Sequence, residues 1–493
     1  MPHLPPDAWV TDAAFALGYT QFAESSVFDA LNEPEHGSQR TVSITRELIQ
    51  TEQPQEHALL IGVERRGDAW GIQDALEELA RLSETANVEI AGAVSQKMDH
   101  PVASTYLGKG KIEEIKAMEE ALGYDLVIAN DELTPSQQRN LEKALDTKVL
   151  DRTGLILDVF ARRARTHEGR LQVELAQLEY RMPRLTRMWT HLSRQSAGGV
   201  GLRGPGETQL ESDRREIGKR ITFIKSQLTD VHTHRQLYRD RRKAQGTPIV
   251  ALVGYTNAGK STLLNTMTGA DVLAEDQLFA TLDPTTRKIE LASGREALLT
   301  DTVGFINNLP TMLIAAFRAT LEEINEASVL IHVLDITHPN AAEQAKTVLA
   351  VLEDLGADNK PMVLALNKID QIDPEVHGTF DELMVGLDLP DHVVAISGAS
   401  GFGLPELMQA VEELLEQQER FVPVRAVIPY ADSVLVDRFH RVGRIESTDY
   451  SEKGTIIIGL LPEAEIGMFG TRLTIEGDPI TAPIAASKAQ QSA

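Results

Sequence analysis

An apolar run, Pro248-Ile249-Val250-Ala251-Leu252-Val253, leads directly into Gly254-Tyr255-Thr256-Asn257-Ala258-Gly259-Lys260-Ser261. The second segment has the pattern GxxxxGKS, and a helix-forming stretch from Ser261 to Met267 follows it. A buried strand, a glycine loop and a helix in immediate succession constrain the fold to a doubly wound parallel α/β sheet. The glycines let successive backbone N–H groups turn toward an anion, and the helix presents its positive end to the same point. A phosphate-bearing ligand is expected there. Lys260 is expected to bridge its terminal phosphates, and the Ser261 hydroxyl to ligate Mg²⁺.

Three further motifs narrow the ligand. Asp301-Thr302-Val303-Gly304 follows the apolar strand Ala297-Leu298-Leu299-Thr300. Asp301 can hold Mg²⁺ through water and the Gly304 N–H can face a γ-phosphate. Asn367-Lys368-Ile369-Asp370 is the NKxD pattern that reads guanine. A carboxylate accepts from both the N1–H and the exocyclic amine of guanine, whereas adenine leaves those acceptors unpaired at a cost of ~1–3 kcal/mol. Lys368 can cover the base with its aliphatic stem, and Ile396-Ser397-Gly398-Ala399 is expected to close the base pocket. The ligand is therefore read as GTP. Between the phosphate loop and Asp301 lies Phe279-Ala280-Thr281-Leu282-Asp283-Pro284-Thr285-Thr286-Arg287. A threonine here is needed to sense the γ-phosphate; Thr281, Thr285 and Thr286 all qualify, and spacing does not choose among them. Position 305 carries Phe305 where many small GTPases have a water-orienting glutamine. Phenylalanine neither donates nor accepts, so slow hydrolysis is expected until a partner completes the site.

At 493 residues the chain exceeds one ordinary core, and several domains are expected. With no cysteines there are no disulfides and no thiol chemistry. The start of the chain has no basic stretch followed by an apolar core, and no apolar run approaches the ~18 residues of a membrane span. A soluble cytoplasmic protein without stable membrane insertion, and a monomer, is expected.

Residues 1–40 mix Pro, Gly, Glu, Asp and Ser without periodicity and read as a mobile extension. Strand-like and helix-like runs then alternate through residues 41–155, which argues for an N-terminal domain with a parallel sheet of about four strands. Gly108-Lys109-Gly110-Lys111 inside it is too short a pattern to mark a second nucleotide site and reads as a solvated turn. Residues 156–245 change character. Leu171, Leu175, Leu178, Met182 and Leu185 keep a heptad rhythm, as do Leu210, Ile217, Ile221, Ile224, Leu228, Val231 and Tyr238, with Arg214 and Arg235 between. Two such stripes predict an antiparallel helical hairpin, joined by the glycine-rich loop 196–206. The GTP-binding domain is expected over 246–420, a small α/β or β-rich domain over 421–480, and a polar tail over 481–493.

The net charge of −25 argues against a general polyanion binder. From Arg152 to Gln245, however, 20 Lys and Arg face 10 Asp and Glu, a local +10 that leaves −35 for the rest. A basic island of this kind suits phosphate. A solvated pair of charged helices is the plainer alternative.

With these residues in view, the chain resembles the HflX family of GTPases over about residues 41–475. The nucleotide motifs alone do not separate it from the Obg or Era families. Gly198 to Glu211 with Asp213-Arg214-Arg215, Asn257 in the phosphate loop, and Phe279 to Asp283 do. The resemblance implies binding to the ribosome, chiefly its large subunit, through the N-terminal domain and the arm Arg152–Gln245. It also implies a role in splitting or rescuing stalled ribosomes under stress, with the tip loop entering the peptidyl-transferase region. It places GTP contacts at Gly254 to Ser261, Phe279 to Asp283, Asp301 to Gly304, Asn367 to Asp370 and Ser397 to Ala399. It assigns Mg²⁺ to Ser261 and Thr281. The chemistry itself makes Lys260 and the Gly304 N–H the expected catalytic groups, at the charge that develops on the γ-phosphate. Gly398 departs from the family's alanine but keeps the backbone N–H. The competing reading is a regulatory switch acting on a protein or membrane-associated partner without RNA.

Overall fold

The computed structural model describes residues 55–481 except 68–69, 186–204, 246, 270–277, 292–293, 311, 314–322, 374–379, 419 and 477–479. The expected N-terminal extension, the tip loop up to residue 204 and the tail beyond residue 481 lie outside the described residues. The chain divides into two compact units: residues up to Arg66 with Ile72–Asp151, and Gly67–Gly71 with everything from Arg152 onward. The division thus falls a few residues before the expected boundary at 155.

In the first unit β1 (His57–Glu64), β2 (Glu89–Lys97), β3 (Leu126–Ala129) and β4 (Lys148–Asp151) form a parallel sheet in the order β2-β1-β3-β4. The helices α1 (Ile72–Thr85), α2 (Lys109–Leu122) and α3 (Pro135–Leu145) connect them, as the alternation predicts. The central strands β1 and β3 are apolar in their inner residues because both faces are covered, and Leu59, Ile61, Val127 and Ala129 share one core with Ile115 and Leu141. Helix α3 begins with a capping box in which Thr134 accepts from the Gln137 N–H and Pro135 occupies the first turn. Gly108 to Lys111 is neither a phosphate loop nor a turn. It opens α2, with the Gly108 N–H donating to Gln96 Oε1 at 2.9 Å and Lys111 pairing with Glu114.

The second unit starts with α4 (Arg152–Arg163), α5 (His167–Arg181) and α6 (Pro205–Gln245). Helix α6 is a single run of 41 residues, roughly 60 Å long at 1.5 Å per residue. Leu171 and Leu175 of α5 pack on Ile221 and Ile224 of α6, flanked by Leu178, Met182, Ile217 and Leu228, so the heptad stripes meet as expected. Ion pairs Glu168–Arg235, Glu174–Arg220 and Glu179–Lys225 link the two helices beside this apolar seam. Pro205 and Gly206, read as part of the tip loop, are the first residues of α6. Helix α4 is not foreshadowed. Its Leu155-Ile156-Leu157 and Val159-Phe160 are all buried, and its exposed polar side is confined to Asp158 and Arg162 near its end, too little to mark a helix in a sequence.

The GTP-binding part contains β5 (Ile249–Gly254), β6 (Thr285–Glu290), β7 (Glu296–Asp301), β8 (Val329–Asp335), β9 (Met362–Asn367) and β10 (Val393–Ala395). Their order is β10-β9-β8-β5-β7-β6, parallel except for the edge strand β6, which runs antiparallel to β7. The chain leaves β5 toward β7 on one side and β8 on the other, so the switch point lies at the carboxyl end of β5, where ligands bind in open α/β sheets. Val250, Leu252, Ile331, Val333, Val363 and Ala365 face one core, with Leu263 of α7 (Lys260–Thr268) and Leu407, Val411 and Leu414 of α9 (Leu404–Gln418). Leu334, Leu364 and Leu366 face the other side, with Ala341 and Ala345 of α8 (Ala341–Asp354). Edge strand β6 takes up Thr285 and Thr286, which the sequence leaves in a loop.

The C-terminal part is an antiparallel sheet. Strands β11 (Arg420–Ile428), β12 (Arg444–Ser451), β13 (Gly454–Pro462) and β14 (Leu473–Ile475) run in the order β12-β13-β11-β14, and β15 (Ile480–Thr481) pairs with β11. Helix α10 (Ser433–Val442) covers one face through Phe439, which meets Phe469 edge-on at 5.7 Å. Among the described residues no helix is long and apolar enough to cross a membrane.

Candidate nucleotide site

The phosphate loop turns from β5 into α7 through two glycines that no other residue replaces cheaply. Gly254 has φ +152° and a Cβ there would lie 2.3 Å from the Val333 carbonyl oxygen. Gly259 has φ +96° and its Cβ would meet Asn367 Nδ2 at 2.3 Å. Between them Asn257 is itself left-handed, at φ 59°. One cavity is lined by Thr256, Asn257, Gly259, Lys260 and Ser261 of this loop, by Phe279, Ala280 and Thr281, and by Thr302 and Gly304. Three of the predicted motifs therefore converge. Thr262, which sequence reading did not single out, also lines the cavity.

Lys260 is buried, and its Nζ donates to the carbonyl oxygens of Tyr255 (2.7 Å) and Gly254 (3.1 Å). Burial pulls its pKa down to about 8, against the opposing pull of the Asp301 charge. Burial likewise pushes the Asp301 carboxyl up, offset by Lys260 and by hydrogen bonds from Ser261 and Thr281. An anion brought to this loop raises the lysine pKa again. His332 of β8 is buried too. Its pKa falls to about 4 through desolvation and the nearby Lys260 charge, so the imidazole is neutral, and its Nε2 has no partner among the described residues.

Asp301 sits at the end of β7 with one oxygen engaged and the other bare. Oδ2 accepts from Ser261 Oγ (2.7 Å) and Thr281 Oγ1 (2.9 Å), and these two hydroxyls lie 2.9 Å apart. Oδ1 is buried with no partner among the described residues. Three hard oxygen donors around an orphaned carboxylate oxygen fit a small divalent cation. Geometry also separates the three threonines. Thr281 is in this cluster, Thr286 Oγ1 bonds Thr300 Oγ1 across the β6–β7 pair, and Thr285 lies in β6 opposite Asp301. Thr302 hydrogen-bonds the Leu252 carbonyl oxygen at 2.6 Å, and Val303 is buried.

Phe305 is fully buried. Its N–H donates to the Gly254 carbonyl oxygen (3.0 Å) and its carbonyl accepts from the Thr256 N–H (2.8 Å). The residue after Gly304 is thus a packing residue stitched to the phosphate loop. Gly304 itself allows a close approach, since a Cβ would lie 2.9 Å from Thr256 Cα and 3.0 Å from Lys260 Nζ.

The guanine motif sits differently from the expectation in one respect. Asn367 is buried and both ends of its amide are used inside the protein. Nδ2 donates to the Ala258 carbonyl oxygen (2.7 Å) and Oδ1 accepts from the Gly398 N–H (2.8 Å). Asn367 is therefore a strut between the phosphate loop and the last motif, and the Gly398 N–H is committed to it. Asp370 is exposed and Ile369 half-buried. Lys368 adopts φ 66° and its Nζ pairs with Asp335 Oδ2 at 2.7 Å. Ser397 is buried with its Oγ accepting from the Ser400 N–H, and Ala399 is exposed. In the loop 279–283, Phe279 is buried and Leu282 belongs to the core. The carboxylate of Asp283 is turned away, onto the start of α5. Trp70, which carries no motif, stacks on Tyr255 at 5.9 Å.

A Rossmann-like sheet, a phosphate loop at its switch point, an Asp-x-x-Gly turn on the same cavity and an Asn-Lys-x-Asp strut define a P-loop GTPase. Comparison with known proteins agrees. Family models described as "GTP-binding GTPase N-terminal", "GTP-binding GTPase Middle Region" and "50S ribosome-binding GTPase" match residues 73–161, 163–242 and 249–368. The GTPase HflX of Caldanaerobacter subterraneus subsp. tengcongensis is 48% identical over 383 residues, covering 78% of this chain and 86% of the relative. That of Escherichia coli K12 is 45% identical over 382 residues, covering 77% and 88%. That of Alkalihalophilus pseudofirmus is 52% identical over 316 residues, covering 64% and 74%. The chain belongs to the HflX family of GTPases.

Proposed function

We propose that this GTPase acts on the ribosome, chiefly its large subunit, and that it splits or rescues stalled ribosomes under stress, with the arm Arg152–Gln245 meeting ribosomal RNA. The observation that carries the reading is the arm itself, a continuous 41-residue helix inside a segment of charge +10 in a protein of −25. Lys and Arg on such a helix neutralise phosphates, and the surrounding negative charge opposes indiscriminate binding. Not every base is available. Arg220, Lys225 and Arg235 pair with acids of α5, and Arg152 is buried with a guanidinium nitrogen on the Asn307 carbonyl oxygen. The description "50S ribosome-binding GTPase" of the family model over residues 249–368 points the same way.

At the nucleotide site, Lys260 exchanges its two carbonyl contacts for the β- and γ-phosphates, and the Gly304 N–H faces the γ-phosphate. Ser261, Thr281 and Asp301 would hold Mg²⁺, which when bound neutralises charge on the phosphates. Asp370 reads guanine while Asn367, through Ala258 and Gly398, keeps that reader in register with the phosphate loop. Phe305 supplies no group to orient water, so intrinsic hydrolysis is slow and a ribosomal partner accelerates it.

Salt titration of binding to isolated large subunits tests the RNA contact. An arm neutralising six to ten phosphates loses roughly 10³-fold or more in affinity between about 50 and 200 mM salt. A flat response would move the arm to a protein partner.

A further inference from the structure

We propose that Asp283 is a positioning residue for GTP hydrolysis, through which the helical arm holds Thr281 at the nucleotide site. The loop from Phe279 to Asp283 is fastened on both sides of Thr281 by arm helices. Upstream, Phe279 is left-handed at φ 57°, fully buried, and edge-on to Phe160 of α4 with ring centroids 4.7 Å apart. Downstream, the Asp283 carboxylate receives three hydrogen bonds from the residues that open α5. The Arg165 and Thr166 N–H groups each donate to Oδ2 at 2.8 Å, and Thr166 Oγ1 donates to Oδ1 at 2.5 Å. Thr166 in turn accepts from the Gly169 N–H as the helix N-cap. The carboxylate is thus built into the cap of another element, where the helix end favours negative charge.

The fit leaves no room to spare. A Cβ on Gly169 would lie 2.4 Å from Asp283 Oδ1, so the carboxylate occupies the space that any other residue at 169 would fill. Two residues before Asp283, Thr281 Oγ1 touches both Asp301 and Ser261. The same helix start also bears Glu168, which pairs with Arg235 of α6, and Arg235 reaches Glu323 of the GTP-binding part. A shift of α6 against α5 therefore acts on the residues that hold Asp283. The coupling is reciprocal: whatever seats Thr281 also favours the seated arm. The family resemblance implies a nucleotide contact for Asp283; its carboxylate spends its hydrogen bonds on the arm.

The test is intrinsic single-turnover hydrolysis by the full chain, with no ribosomal component present, so its outcome is independent of the ribosomal reading above. Asp283→Ala and Gly169→Ala break the contact from opposite sides. Gly169→Ala places a better helix former in α5, so helix content should not fall. Each variant is expected to slow hydrolysis at least about tenfold and to lower the preference for GTP over GDP, while GDP affinity stays at the wild-type value. The double variant is expected to be no slower than the slower single one, because both remove one interaction. Asp283→Asn serves where the alanine variant does not fold. Wild-type rates in Gly169→Ala and Asp283→Asn, equal losses of GDP affinity and rate, or multiplying effects in the double variant would each overturn the proposal.

Discussion

Replacing Asn367 by alanine separates two jobs that the NKxD motif is expected to share. The side chain is 2% exposed and makes two hydrogen bonds, to the Ala258 carbonyl oxygen and from the Gly398 N–H. Truncation leaves both backbone groups buried without a partner. At about 1–3 kcal/mol for each orphaned group, the total is about 2–6 kcal/mol. Part of this appears as lower stability of the ligand-free protein and part as weaker nucleotide binding, and each ~1.4 kcal/mol assigned to binding is tenfold in affinity. Asn367→Ala should therefore weaken GDP and inosine diphosphate by the same factor, since the strut touches the phosphate loop and not the exocyclic amine. Asp370→Ala should weaken GDP more than inosine diphosphate, because only guanine carries that amine. Competition titrations of both diphosphates against a fluorescent guanine nucleotide give the two ratios directly. If Asn367→Ala collapses the GDP preference while leaving thermal stability intact, the strut reading is wrong and Asn367 reads the base itself.

Two other outcomes follow from the phosphate cavity. Lys260 has a pKa of about 8 in the ligand-free protein, below its ordinary value of 10.5, and a bound phosphate raises it again. GDP binding at pH 9 should then take up close to one proton, and at pH 6.5, where Lys260 is already charged, almost none. Calorimetry in buffers of different ionisation enthalpy reads this uptake, and the absence of any buffer dependence at pH 9 refutes it. By the same linkage, the ligand-free protein gains stability as pH rises from about 8 to 10.5, where the unfolded chain holds the extra proton. Thr281→Ala should reduce Mg²⁺-dependent GTP affinity relative to GDP. Thr286→Ala, whose hydroxyl is bound to Thr300 in the sheet, should leave that ratio alone, and equal effects of the two would return the threonine question to open.

The elements that sequence made legible are those with a period. The four strands of the first unit, the heptad stripes of α5 and α6, and β5 with its glycine loop carry patterns set by one or two covered faces. Helix α4 was not legible because Leu155-Ile156-Leu157 and Val159-Phe160 are buried with only Asp158 between them, and so short an apolar run looks the same in a strand or a helix. Edge strand β6 escaped because Thr285-Thr286-Arg287-Lys288 is polar, as exposed edge strands are. At the site, motif spacing found the phosphate side, and the cavity gathers three of those motifs. It could not separate Thr281 from Thr285 and Thr286, because that distinction lies in which residues the antiparallel β6–β7 pair takes up. Nor could it find the inward commitment of Asn367 or the arm contact of Asp283, whose partner Thr166 lies 117 residues away along the chain.

The claim that this nucleotide site works with a ribosomal partner is tested most directly by one rate. GTP turnover by the full chain is measured alone and with isolated large ribosomal subunits at low and high salt. The expected result is slow turnover alone, consistent with Phe305 in place of a water-orienting group, and an acceleration of at least about tenfold by the subunits that fades as salt rises. Turnover that is fast in isolation, or unmoved by large subunits at any salt concentration, contradicts it.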